Sequence, residues 1–159
     1  MTFQEQLCFS QSPEHEEFWR KVYSKFFPEM LWFKSCQSFN QGQRLGIDRV
    51  IQLSTGKTIY IDEKVTRGTP KSFFLECGPK GWIEKDLLID FIAYAFIEHN
   101  KCYMLPWLLL KNSWKVNGET WKRVYSVKKI PNEGYVTLGV FVPIPVVLSS
   151  FLGVLYNEV

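Results

Sequence analysis

Asp48, Asp62 and Lys64 are the residues whose types and spacing could do chemistry together. They lie in the stretch IDRVIQLSTGKTIYIDEKV, from Ile47 to Val65, which reads as two short strands joined at Ser54-Thr55-Gly56. A three-residue hairpin loop with glycine in the left-handed conformation is a common solution. It pairs Leu53 with Lys57 and, counting back, Asp48 with Asp62. Directly opposed residues have Cβ atoms roughly 4.5–5.5 Å apart on one face of the sheet. Alternation puts Val50, Tyr60 and Lys64 on that same face. A two- or four-residue loop would instead oppose Asp48 to Glu63.

Two carboxylates this close repel, and their pKa values separate unless a cation lies between them. Mg²⁺ suits such a pair, because it is hard, binds oxygen, and accepts one or two carboxylates with water and phosphate oxygens completing its shell. A lysine beside it can stabilise developing negative charge. Metal, polarised water and cation together suffice for phosphodiester hydrolysis. The same spacing also describes surface charges on a solvated hairpin, with Lys64 neutralising Asp62.

The opposite face receives Ile47, Ile51, Leu53, Ile59, Ile61 and Val65, a convincing core face. Ser12 as N-cap and Pro13 at the first helical position predict a helix before it. Its apolar stripe is Phe18, Trp19, Val22, Tyr23 and Phe26, ended by Pro28. A polar connector, Gln37 to Gln43, leads to strands over Arg44–Leu53 and Lys57–Val65. Further strands are predicted over Ser72–Cys77, Asp90–Phe96, Cys102–Leu105, Trp121–Val127 and Tyr135–Val142. Helices are predicted over Trp107–Trp114 and Pro145–Leu155, with Asn117-Gly118 as a turn. The expected fold is α/β, bordering on α+β, with a central mixed β-sheet flanked by helices. No linker or repeat divides the chain, so residues 1–159 read as one domain.

Asp48, thirteen intervening residues, and Asp62-Glu63-Lys64 resemble the D…(D/E)-x-K signature of the PD-(D/E)XK nuclease superfamily. The order helix, hairpin, further strands, helix is similar to its restriction-endonuclease-like core from about Ser12 to Leu110. Ile47 replaces the proline of the pattern, and the second acid is aspartate. The resemblance implies that Asp48 and Asp62 bind Mg²⁺ or Mn²⁺, that the Glu63 carbonyl adds a ligand, and that Lys64 is catalytic. It also implies an acid from the first helix: Glu16, with His15 competing and Glu17 facing away. DNA is the implied substrate, and many such nucleases act as homodimers. The alternative implication is a nuclease-like scaffold without catalysis, a phage-encoded binding or regulatory protein; a structural phage component is a third. The stretch Ser72–Phe96 is similar to small phage and bacterial proteins and puts Glu76 forward as a further acid near the site.

The net charge of +3 permits nucleic-acid binding without demanding it. Arg67, Lys111, Lys115, Lys122 and Arg123 are the candidate phosphate contacts, the last four interleaved with Trp107, Trp114 and Trp121. Solvated lysines around core tryptophans are the plainer account of that region. Glu98-His99 with Cys102 matches no closed zinc pattern. The chain holds no phosphate-cradling glycine loop and no G-x-S-x-G elbow. Four cysteines without a CxxC pair argue against a disulfide framework. The start lacks the character of a secretion signal and the apolar tail is broken by Pro143 and Pro145, so the expectation is a cytoplasmic protein that does not enter membranes.

Overall fold

The computed structural model describes residues 13–36 and 45–157. Among them the chain is mixed α/β, with eight strands in a five-stranded mixed sheet and a three-stranded sheet, and three helices. They group into two compact units, each discontinuous in sequence. One is the described part of Gln4–Gly68 with Leu87–Trp107; the other is Thr69–Asp86 with the described part of Leu108–Val159.

The first unit opens with α1, Pro13–Phe26, whose Ser12 cap lies outside the described residues. It then builds β1 (Met30–Ser35), β2 (Arg49–Leu53), β3 (Thr58–Thr66), β5 (Phe91–Phe96) and β6 (Lys101–Pro106) in the order β1-β2-β3-β5-β6. Strand β1 was not expected from sequence, and the expected Arg44 start of β2 and the Gln37–Gln43 connector lie outside the described residues. All pairs are antiparallel except β3 with β5. A parallel pair requires a long crossover, and the chain spends it on residues of the second unit. Phe18, Trp19 and Tyr23 of α1 pack with Ile51, Ile59, Ile61, Ala93 and Ala95. The core face therefore holds the odd-numbered hairpin residues, as alternation requires.

The second unit pairs β4 (Ser72–Cys77), β8 (Tyr135–Pro143) and β7 (Lys128–Asn132) in that order, all antiparallel. Helices α2 (Trp107–Tyr125) and α3 (Ile144–Asn157) complete it, with Ser150 donating to buried Ser113 at 2.9 Å. Helix α2 corrects the sequence expectation of a short helix, a turn and a strand over Trp121–Val127. Asn117 Nδ2 donates back to the Ser113 carbonyl at 3.0 Å, within the helix. A Cβ on Gly118 would lie 3.0 Å from the Trp114 indole. The glycine makes room for a ring; it does not turn the chain. Trp114 and Trp121 consequently form one buried seam, with ring centroids 6.2 Å apart. Among the described residues, no helix is long and apolar enough to cross a membrane.

Candidate functional site

The β2–β3 hairpin closes through three residues. Leu53 N–H donates to the Lys57 carbonyl at 2.9 Å, Gly56 N–H donates to the Leu53 carbonyl at 3.0 Å, and Gly56 has φ +88°. The register runs Gln52↔Thr58, Ile51↔Ile59, Val50↔Tyr60, Arg49↔Ile61. The paired register ends there; Asp48 immediately precedes β2, and its N–H bonds the Ile61 carbonyl at 2.9 Å.

The Asp48 carboxyl lies close enough to Asp62 to raise its pKa. Asp62 is buried, its side chain 5% exposed, and Lys64 Nζ donates to its Oδ1 at 2.7 Å. Burial raises the Asp62 pKa most, Lys64 opposes it, and the charge and hydrogen bond of Asp48 raise it further, to about 7. Asp48 is oriented from behind: its Oδ2 accepts the Glu63 backbone N–H at 2.8 Å. Glu63 thus orients Asp48 through its backbone N–H.

The other face of the same hairpin carries a second ionic cluster. Arg49, 3% exposed, donates through Nε to Glu63 Oε1 at 2.8 Å and through its terminal nitrogens to Glu16 at 2.8 and 3.3 Å. Tyr23 donates to Glu63 Oε1 at 2.5 Å. Burial alone would lower the Arg49 pKa, but Glu63 and Glu16 outweigh it and hold the guanidinium charged. Burial and the Glu63 charge push the Tyr23 hydroxyl well above its ordinary value.

This cluster takes up the expected first-helix acid. Helix α1 packs on the odd-numbered face, and Glu16 meets Arg49 there. Its neighbour His15 is buried, and Glu17 is exposed beside Lys21 at 3.5 Å. Sequence reasoning passed over Arg49 and Tyr23. The signal was there, since Arg49 and Glu63 both occupy odd positions and a charge on a core face calls for a partner.

Among the described residues, no group of three or more His, Cys, Asp or Glu side chains could hold a metal. The pair alone still fits Mg²⁺. Two hard oxygen donors lie near each other, Lys64 pairs with one of them, and Mg²⁺ commonly takes two carboxylates with water and phosphate oxygens.

The candidate phosphate contacts divide. Lys111 is held by the Ile83 and Lys85 carbonyls at 3.2 and 2.6 Å and by Asp86 at 3.7 Å, so it fastens the turn at Trp82–Glu84. Lys122 pairs with Glu119 at 2.5 Å and lies 5.6 Å from the Trp114 ring centroid. Lys115 and Arg123 are exposed, and Arg67 lies 4.0 Å from Glu98 with both half exposed. Glu76 sits on β4 of the second unit, opposite Gly139. The Glu98-His99 pair forms a 3₁₀ turn, and burial raises the Cys102 thiol to about 12, which makes it a poor nucleophile.

No protein-family model, curated protein or solved structure matches the chain. The functional reading therefore rests on the geometry of the pair and on the sequence resemblance.

Proposed function

We propose that this protein hydrolyses DNA phosphodiester bonds with Mg²⁺ or Mn²⁺ at Asp48 and Asp62, with Lys64 beside them. The observation that carries the reading is the buried Asp62 carboxyl with the Lys64 ammonium at 2.7 Å and the Asp48 carboxyl near enough to raise its pKa. When bound, the metal would supply Lewis acidity and a water acidic enough to attack at neutral pH. Asp48 and Asp62 would hold it, Asp48 in the orientation that the Glu63 N–H imposes. Asp62 must give up its proton first, which the metal's charge favours. Lys64 then divides its charge between Asp62 and the phosphate, where it stabilises the charge of the transition state. Arg67 is the exposed cation of the first unit proposed to contact DNA phosphates; Lys115 and Arg123 are exposed candidates on the second unit, taken by itself. Cutting both strands of a duplex would call for two copies of this single site, hence a homodimer.

A second reading, the same scaffold without catalysis, draws on Glu16 being paired with Arg49 and Lys64 with Asp62. Cleavage assays decide. Wild type should cut DNA in Mg²⁺ and not in EDTA. Asp62→Asn and Lys64→Ala should each lower the rate by on the order of a hundredfold or more, a loss typical of removing one charge-stabilising group. Undiminished cleavage by both variants sinks the mechanism. No cleavage by wild type, with no calorimetric Mg²⁺ or Mn²⁺ binding even with DNA present, favours the inactive scaffold.

A further inference from the structure

The carboxylate face of the first unit's sheet continues beyond the acids into an exposed aromatic and basic row. Across the strands, Lys34 of β1 pairs with Val50, which pairs with Tyr60. One step further, Trp32 pairs with Gln52, which pairs with Thr58. Tyr60 lies two residues before Asp62 on β3 and so shares its face, and successive rows on that face lie about 6.6 Å apart, at ~3.3 Å per residue. Tyr60 occupies the row next to the carboxylates and Trp32 the row after it.

A β-bulge sets this arrangement. The β1–β2 register shifts between Met30 and Trp32. Met30 and Phe33, three residues apart, both pack on the α1 side. In a regular strand they would face opposite ways and Trp32 would share the core face with Met30. The bulge at Leu31 re-aims Trp32 to the carboxylate face, a use that bulges near functional sites often serve. There Trp32 is 42% exposed and Tyr60 39%. The Lys34 ammonium lies 5.2 Å from the Trp32 ring centroid, so cation and indole act as one unit. Tyr60 is held on its far side by Asp90, whose carboxylate accepts the Tyr60 N–H at 2.8 Å and whose own N–H bonds the Tyr60 carbonyl.

Exposed aromatics beside a cation, in line with a phosphate-directed pair, suit an unpaired nucleic-acid strand. Every base has a face that stacks, whereas a duplex hides those faces. We infer that Trp32, Lys34 and Tyr60 form a stacking platform that selects single-stranded DNA and leads its backbone to Asp48 and Asp62. The inference rests on the nuclease reading for its substrate, but its binding test does not need catalysis. Bases stack on Trp32 and Tyr60, and Lys34 meets the phosphate between them.

The test is anisotropy of a labelled short oligothymidylate against a duplex of equal length, in EDTA. Wild type should bind the single strand at least about tenfold tighter. Trp32→Leu, which keeps an apolar side chain but removes the ring, should lose about tenfold in single-strand affinity, the scale of one stacked base. Trp32→Phe should recover most of it. Circular dichroism and the melting temperature check that each variant is folded. Wild type preferring duplex, or Trp32→Leu binding the single strand as wild type does, overturns the platform. Cleavage in Mg²⁺ separates the two readings. Single-strand binding that depends on the Trp32 ring, without cleavage by wild type, keeps the platform and ends the nuclease. Asp62-dependent cleavage of single strands at wild-type kcat/KM in Trp32→Leu keeps the nuclease and ends the platform.

Discussion

Asp62 is a buried carboxyl with a lysine on one side and a carboxyl on the other, and its burial outweighs its ion pair. Its proton is therefore held to about pH 7 in the folded chain, against about 3.9 in an unfolded one. The folded state binds the extra proton between those values. The stabilising contribution is complete below the unfolded pKa and is lost as pH rises through about 7. Metal-free protein should lose on the order of a few kcal/mol between about pH 4 and about pH 8 from this group. Asp62→Asn should flatten that slope, read as melting temperature against pH in EDTA. A variant with the wild-type slope contradicts the assignment. Mg²⁺ affinity should move the opposite way, rising with pH until Asp62 is ionised, since a ligand carboxyl must be deprotonated.

Arg49 is the residue on which the other face depends. Arg49→Ala leaves Glu63 buried without its cation and should cost about 3–5 kcal/mol in denaturant unfolding. Glu16→Gln, half exposed on the same arginine, should cost under about 1 kcal/mol and leave Mg²⁺-dependent cleavage in place. Loss of cleavage in Glu16→Gln would restore it as a ligand.

At the scale of elements, the hairpin is the part most legible in the sequence. Ser54-Thr55-Gly56 closes as a local loop, local loops fix register, and alternation then decides faces. Gly56→Ala, at φ +88°, should destabilise by about 1–2 kcal/mol and loosen the hairpin register that positions Asp62. What escaped the sequence is what tertiary contacts decide. Gly118 looks like a turn signal until the Trp114 ring explains its missing side chain; Gly118→Ala should lower the melting temperature although alanine is the better helix former. Strand β1 was hidden because its bulge breaks the period-two pattern between Met30 and Phe33. Glu16 was put forward because the resemblance implies an acid from the first helix and Glu17 faces away from the stripe; its partner Arg49 was not legible, because spacing does not say which sheet residue a helix side chain meets.

For the whole molecule, the chain interrupts its first unit with Thr69–Asp86 and closes it with β5 and β6 before building the rest of the second. No composition shift marks that interleaving, which is why no boundary was visible in the sequence. The net charge is only +3, so DNA binding should depend on few phosphate contacts and weaken gently with salt. A steep salt slope would point to cations other than Arg67, Lys34, Lys115 and Arg123. The central claim is that Asp48 and Asp62 hold one divalent cation between them, and the direct measurement is anomalous scattering from a crystal soaked in Mn²⁺. The account predicts a single anomalous peak bonded to both carboxylates, with Lys64 close by. No peak there at saturating Mn²⁺, or a peak held elsewhere with the Asp48–Asp62 contact undisturbed, would contradict it.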